Sequence, residues 1–211
     1  MDWRAWHRDY DDPDSPVSRR LVEVRSRLAT ALEETRPGPV RLLSLCSGDA
    51  RDTIPVVAES RREVEVCLVE LDPDLAETAR RAAAEAGVEV DVRTGDAGDP
   101  TTYADLLPVD VLLLVGVLGN VSDADARTTV AAAASLLAPG GMVIWTRSNR
   151  FRSEPTHDVD DPAEWVRELF ASAGFDEVAY VRPDVPWRLG VGRLPVPAAE
   201  PPPERLFSFV R

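Results

Sequence analysis

The sequence predicts an α/β domain: a seven-stranded, mostly parallel sheet with helices on both faces, forming a three-layer sandwich with one extra N-terminal helix. Three observations carry this expectation. Short continuous apolar runs such as Val40–Leu45 are too short for useful helices and too unbroken for a strand with one solvated face, so they suit parallel strands buried on both sides. These runs alternate with helical stretches along the chain. Finally, Leu42-Leu43-Ser44-Leu45-Cys46-Ser47-Gly48-Asp49-Ala50-Arg51-Asp52 is followed, 22 residues after Gly48, by Glu70 at the acidic end of Val69-Glu70-Leu71-Asp72-Pro73. The order strand, turn, helix, strand, carboxylate places a close-approach turn and a hydroxyl-binding acid on two sides of one crevice.

The elements follow in order. Residues 1–14 are polar but carry Trp3, Trp6, His7 and Tyr10, whose spacing lines one face of a short helix; they either staple the N-terminus down or form a lid. Ser15 caps a helix with Pro16 at its first position, and Val17, Leu21, Val24, Leu28 and Leu32 form its apolar stripe as far as Pro37-Gly38-Pro39. Residues 1–39 are thus an accessory segment of the same domain, and 40–211 are its main body. Asp52 is placed to cap the helix entering Ile54. Asp72-Pro73 starts an Ala-rich helix that Gly87 ends. A strand over 88–93, a short helix near 101–106 and a strand over 109–117 follow. Ser122 caps the next helix, to Leu137. After the strand 142–146 comes a polar loop, 147–160, long enough to be functional. Asp161-Pro162 starts a helix stopped by Gly174, and 177–181 is a strand. A Pro-rich loop, 183–203, leads to Leu206-Phe207-Ser208-Phe209-Val210, which alternates like a final strand.

Composition removes several classes. The net charge of −13 argues against a nucleic-acid partner, since that affinity rests on Lys and Arg neutralising phosphates. The chain has no lysine, which excludes a P-loop lysine, a kinase lysine and a pyridoxal Schiff base. With two histidines and two cysteines, no zinc site is expected. No stretch reaches the roughly 18 apolar residues of a membrane span, and Met1-Asp2-Trp3-Arg4 lacks a signal peptide's apolar core, so a cytoplasmic location is expected. Cys46 and Cys67 read as reduced and buried.

The turn carries one glycine where a dinucleotide fingerprint needs three, with Cys46 and Asp52 occupying the other two places. A diphosphate therefore fits poorly, which disfavours an NAD(P)-dependent oxidoreductase. A nucleoside ligand without phosphates needs less clearance.

These residues resemble the class I S-adenosylmethionine-dependent methyltransferases. Residues 43–50 look like the family's glycine-rich first motif, Glu70 stands where its ribose-binding acid stands, and Gly95-Asp96-Ala97 is similar to the motif beside the adenine. Asp110 to Leu118 resembles the fourth strand, and Leu136-Leu137-Ala138-Pro139-Gly140-Gly141 resembles the segment leading into the fifth. The family often has an acid at Ser44 and glycines at Cys46 and Ala50. The resemblance implies a Rossmann-like fold and a methyl transfer from S-adenosylmethionine, with S-adenosylhomocysteine as product, to a small-molecule acceptor. It implies cofactor contacts from Cys46, Ser47, Gly48, Asp49, Glu70, Leu71, Asp96, Ala97, Gly116 and Leu118. Arg51 is a candidate for the cofactor carboxylate or, equally, a surface ion pair; Asp96 also reads as turn chemistry.

On the acceptor side, Asn120 stands where the family faces substrate, or is a left-handed turn residue. His157 and His7 are the two imidazoles available as a general base. Tyr10, Arg147, Trp187 and Arg188 lie in segments placed to cover a planar or anionic small molecule. A protein that binds the cofactor or its demethylated product without transferring methyl is the alternative from another functional class.

Overall fold

A computed structural model describes residues 8–149, 160–196 and 201–209 of the chain. After a 3₁₀ turn at Arg8–Asp11 come α1 (Pro16–Glu34), β1 (Val40–Leu45), α2 (Ile54–Glu59), β2 (Val64–Glu70), α3 (Pro73–Ala86) and β3 (Asp91–Thr94). Two further 3₁₀ turns precede β4 (Val109–Leu114), α4 (Asp123–Leu136), β5 (Leu137–Ser148), α5 (Pro162–Ser172), β6 (Asp176–Val181) and β7 (Trp187–Arg193). The sheet order is β3-β2-β1-β4-β5-β7-β6. Its first five strands run parallel, and β7 is antiparallel to both neighbours. This is the mixed, helix-covered sheet that the sequence predicts.

The continuous apolar runs divide between two cores because successive side chains point to opposite faces of a strand. Leu43, Leu45, Leu112, Leu114 and Trp145 pack on the α4/α5 side. Leu42, Leu68, Leu113 and Ile144 pack on the side that carries the α1 stripe, Val24, Leu28 and Leu32. Helix starts follow the expected chemistry: Ser15 accepts from the Ser18 amide, Asp72 from Asp74, Ser122 from Asp125 and Asp161 from Ala163. Gly87 ends α3 in the left-handed conformation, φ 70°.

Three local expectations are corrected. Asp52 does not cap α2: Thr53 holds the cap position without a side-chain bond, and its hydroxyl donates to Asp52 at 2.9 Å. β3 begins at Asp91, because Val88 still closes the end of α3 by donating to the Ala83 carbonyl. The last strand is Trp187–Arg193, inside the expected Pro-rich loop, while the tail contributes a single bridge, Val121 to Phe209. β7 hides its alternation: Leu189 and Val191 fill one core, but the other face is Gly190 and Gly192. A Cβ at Gly190 would overlap the Trp145 ring, and one at Gly192 would lie 3.2 Å from Phe175. Glycine in that strand is what lets large aromatics lie across it.

Candidate active site

The strand order reverses between β1 and β4, and the C-terminal ends of the strands there open into a cavity of about 620 Å³. This is the switch point where open α/β sheets bind ligands.

The turn after β1 forms its floor. Cys46, Gly48 and Ala50 all have positive φ, 58°, 59° and 55°. Two of them are not glycine, a strain of about 1–2 kcal/mol each. The fold holds them there through the Ser47 amide on the Val69 carbonyl, 3.0 Å, and the Ala50 amide on the Ser47 carbonyl, 2.9 Å. Glu70, at the end of β2, lines the cavity and is 9% exposed. Its Oε2 accepts from the Gly48 amide and its Oε1 from the Asp72 amide, each at 2.8 Å. One carboxylate thus ties the β1 turn to the start of α3. With about four acceptor sites on an ionised carboxylate, roughly two remain for a ligand's hydroxyls.

Of the residues singled out in the sequence, Cys46, Ser47, Gly48, Asp49, Arg51, Glu70, Leu71, Asp96, Ala97 and Gly116 line this cavity. So do Tyr10, Asn120, Arg147 and Trp187. Two others do not line it. Leu118 is fully buried in the core, where its carbonyl accepts from the Arg147 guanidinium. Arg188 is 7% exposed; its Nε binds Asp161 at 3.0 Å and its Nη1 reaches the carbonyls of Pro183, Val185 and Trp187. Its charge is spent holding α5 to β7. His7 and His157 lie outside the described residues.

Arg51 forms a forked pair with Asp49, Nε to Oδ1 at 2.9 Å, and its guanidinium lies 4.3 Å from the centre of the Tyr10 ring. Asn120 donates to the Gly116 carbonyl at 2.5 Å. Asp96 accepts from the Gly98 amide and from Arg205, at 2.8 and 2.9 Å.

The sequence reading missed several lining residues. Arg20, on α1, donates to the Tyr10 hydroxyl at 2.9 Å. Asp52, Thr146, Ser148 and Phe209 also line the cavity. Of these only Asp52 carries a sequence signal, an acid just past the turn, and that signal is the same as a helix cap's. Among the described residues no group of His, Cys, Asp and Glu is placed to hold a metal, and no helix is long and apolar enough to cross a membrane.

Burial raises the Asp52 carboxyl above its ordinary value, against the Thr53 hydrogen bond and the Arg20 charge. The folded state therefore binds the Asp52 proton more tightly than the unfolded state, so this group's contribution to stability falls as pH rises from the unfolded carboxylate range through the folded value. Asp52→Asn removes that loss. Its melting temperature, relative to wild type, is expected to be higher at pH 7 than at pH 4, as thermal denaturation at both values would read. Burial also pushes the Cys46 thiol well up, with Glu70 and Asp96 adding to it, and the Cys67 thiol up to about 12. Both thiols are free and protonated at neutral pH, which is inconsistent with a nucleophilic role.

Cofactor fit can be judged from the backbone. Gly116, φ 77°, has open space where a Cβ would stand, and Gly119 has its nearest neighbour 3.8 Å from that point. Ser47 Oγ is buried and without a hydrogen bond among the described residues. A cavity with glycine walls, an uncommitted hydroxyl and a carboxylate of spare acceptor capacity fits a nucleoside with a slender, polar extension.

Residues 42–141 match a family described as a methyltransferase domain. No curated protein matches the chain. Among solved structures, an O-methyltransferase family protein from Burkholderia thailandensis is similar with TM-score 0.67 at 17% identity, over 85% of this chain and 57% of that one. The chain therefore spans little more than half the length of that relative. The magnesium protoporphyrin IX methyltransferase from Synechocystis PCC 6803, solved with bound S-adenosylmethionine, is similar with TM-score 0.64 at 16% identity, over 91% and 90% of the two chains. The [4+2]-cyclase SpnF is similar with TM-score 0.58 at 19% identity, over 81% and 80%.

Proposed function

We propose that this chain, which has the class I S-adenosylmethionine-dependent methyltransferase fold, transfers a methyl group from S-adenosylmethionine to a small-molecule acceptor. The observation that carries the reading is Glu70: a buried carboxylate at the end of β2, fixed by two backbone amides on the wall of the switch-point cavity. When bound, S-adenosylmethionine supplies a methyl group activated on a sulfonium. The chain's part is to bind, orient and exclude water, and positioning alone contributes up to about 7–11 kcal/mol in favourable intramolecular cases.

In this reading Glu70 holds the ribose hydroxyls, Asp96 and Ala97 border the base, and the Cys46–Asp49 turn and Gly116 follow the amino-acid portion. The acceptor side is the wall shared by α1, the end of β5 and the start of β7. There Val17, Leu21 and Trp187 supply apolar surface and Arg147 and Ser148 supply polar groups, with Tyr10 from the 3₁₀ turn and Asn120 from the loop after β4 completing the polar lining. Such a wall suits a flat, mostly apolar molecule with a few polar substituents. A Synechocystis structural relative named for a magnesium protoporphyrin substrate is consistent with that class.

The fold alone does not fix the reaction, as the cyclase neighbour illustrates. The test is incubation with methyl-tritiated S-adenosylmethionine and a panel of hydroxyl, amine and thiol small molecules, with RNA and protein as controls. Label in a small-molecule product, with matching S-adenosylhomocysteine, is the expected result. Label confined to RNA or protein would contradict the acceptor class. Tight cofactor binding without turnover on the low-molecular-weight fraction of a cell extract would favour a cofactor-binding protein without methyl transfer.

A further inference from the structure

The segment near the C-terminus folds back onto the site. The Leu206 amide donates to the Gly98 carbonyl at 2.8 Å, the Leu206 carbonyl accepts from Thr129 at 3.1 Å, and the Ser208 amide donates to Asp125 at 3.2 Å. Leu206 and Phe207 are each 1% exposed and belong to the α4-side core. Gly98 is shaped for this docking, since a Cβ there would overlap the Phe207 carbonyl. Two side chains then reach the cavity region. Arg205 binds Asp96 at 2.9 Å and the Phe207 carbonyl at 3.1 Å. Phe209 is bridged to Val121, meets Phe207 edge-on at 5.6 Å between ring centres, and lines the cavity together with Asp96 and Ala97.

We infer that Arg205–Phe209 is part of the cofactor site: Phe209 is an aromatic wall on the nucleoside end, and Arg205 positions the Asp96 carboxylate at its edge. The inference rests on the cofactor reading above. Its geometry is specific to one end of the cavity, because Gly98 and Val121 hold the segment between the loops after β3 and β4, away from the wall that α1 provides. A base lying between those loops meets an aromatic face, which stacks on any nucleobase. The segment's backbone anchors at Leu206 and Ser208 are separate from the ring, so changing Phe209, half-buried at the end of the segment, removes its edge contact with Phe207 but leaves those anchors and the burial of Leu206 in place.

The test is calorimetric titration of the full-length protein with S-adenosylhomocysteine and with 5′-methylthioadenosine, which lacks the amino-acid end. Phe209→Ala is expected to weaken both by the same factor, roughly 5- to 50-fold, with Phe209→Tyr restoring binding to within about twofold. Gly98→Ala, which keeps the ring but displaces the segment, is expected to lose binding likewise. Arg205→Gln costs less, about threefold, because the pair with Asp96 is half-exposed. Circular dichroism and a melting curve on each variant separate lost binding from lost fold. Unchanged binding by Phe209→Ala, or a loss confined to S-adenosylhomocysteine, would overturn the inference while leaving the cofactor reading intact. A wild-type protein that binds neither ligand would overturn both.

Discussion

Glu70→Ala is expected to weaken S-adenosylhomocysteine binding by about 100- to 10,000-fold, since hydrogen bonds to a charged group are worth about 1.5–3 kcal/mol each and the ribose offers two hydroxyls. The effect has a second source. Glu70 fixes the Gly48 and Asp72 amides, so its removal frees the β1 turn as well as the ribose contacts. That turn already holds Cys46 and Ala50 at positive φ, and without the carboxylate it has less reason to stay there. Glu70→Gln keeps the shape but turns one acceptor into a donor facing a backbone amide, and should fall between alanine and wild type. Isothermal titration of the three proteins checks the order. An alanine variant within about threefold of wild type would mean the ribose does not lie on this carboxylate.

Arg188→Ala is expected to lower stability by about 3–5 kcal/mol, the usual result of removing one partner of a buried pair. Arg188 and Asp161 have side chains 8% and 11% exposed, so Asp161 would be left as a buried charge without its guanidinium. Three carbonyls of the α5–β7 region lose a donor at the same time. For a chain of this size the melting temperature should fall by about 6–20 °C. A thermal melt reads this directly, and a drop of about 1 °C or less would contradict the structural role. Asp161→Asn should also destabilise, because it leaves the buried Arg188 guanidinium without its counter-charge and, with one amide oxygen for two donors, turns an NH2 toward either Arg188 or the Ala163 amide.

What the sequence made legible follows the range of the forces involved. The Gly48 turn and Glu70 could be read because a strand, a turn and a carboxylate impose their requirements within a short stretch. The caps at Ser15, Asp72, Ser122 and Asp161 were readable for the same reason. β7 was not, since its periodicity is broken by Gly190 and Gly192, whose job is to make room for Trp145 and Phe175 from elsewhere in the chain. Arg188 looked like a ligand-facing cation because nothing local announces Asp161, 27 residues away. Arg20 and Phe209 reach the cavity from the two ends of the chain. Arg20 sits at the edge of an apolar helix stripe and Phe209 in an apolar alternation, and each pattern signals packing. Their convergence on Tyr10 and on Asp96 and Ala97 is a product of the sheet order, which local sequence does not encode.

The most direct test of the central claim is a crystal structure with S-adenosylhomocysteine. The account predicts the ligand in the switch-point cavity, with ribose hydroxyls on the Glu70 carboxylate and the base toward Asp96 and Ala97. A ligand bound elsewhere, or seated with its ribose away from Glu70, would contradict it.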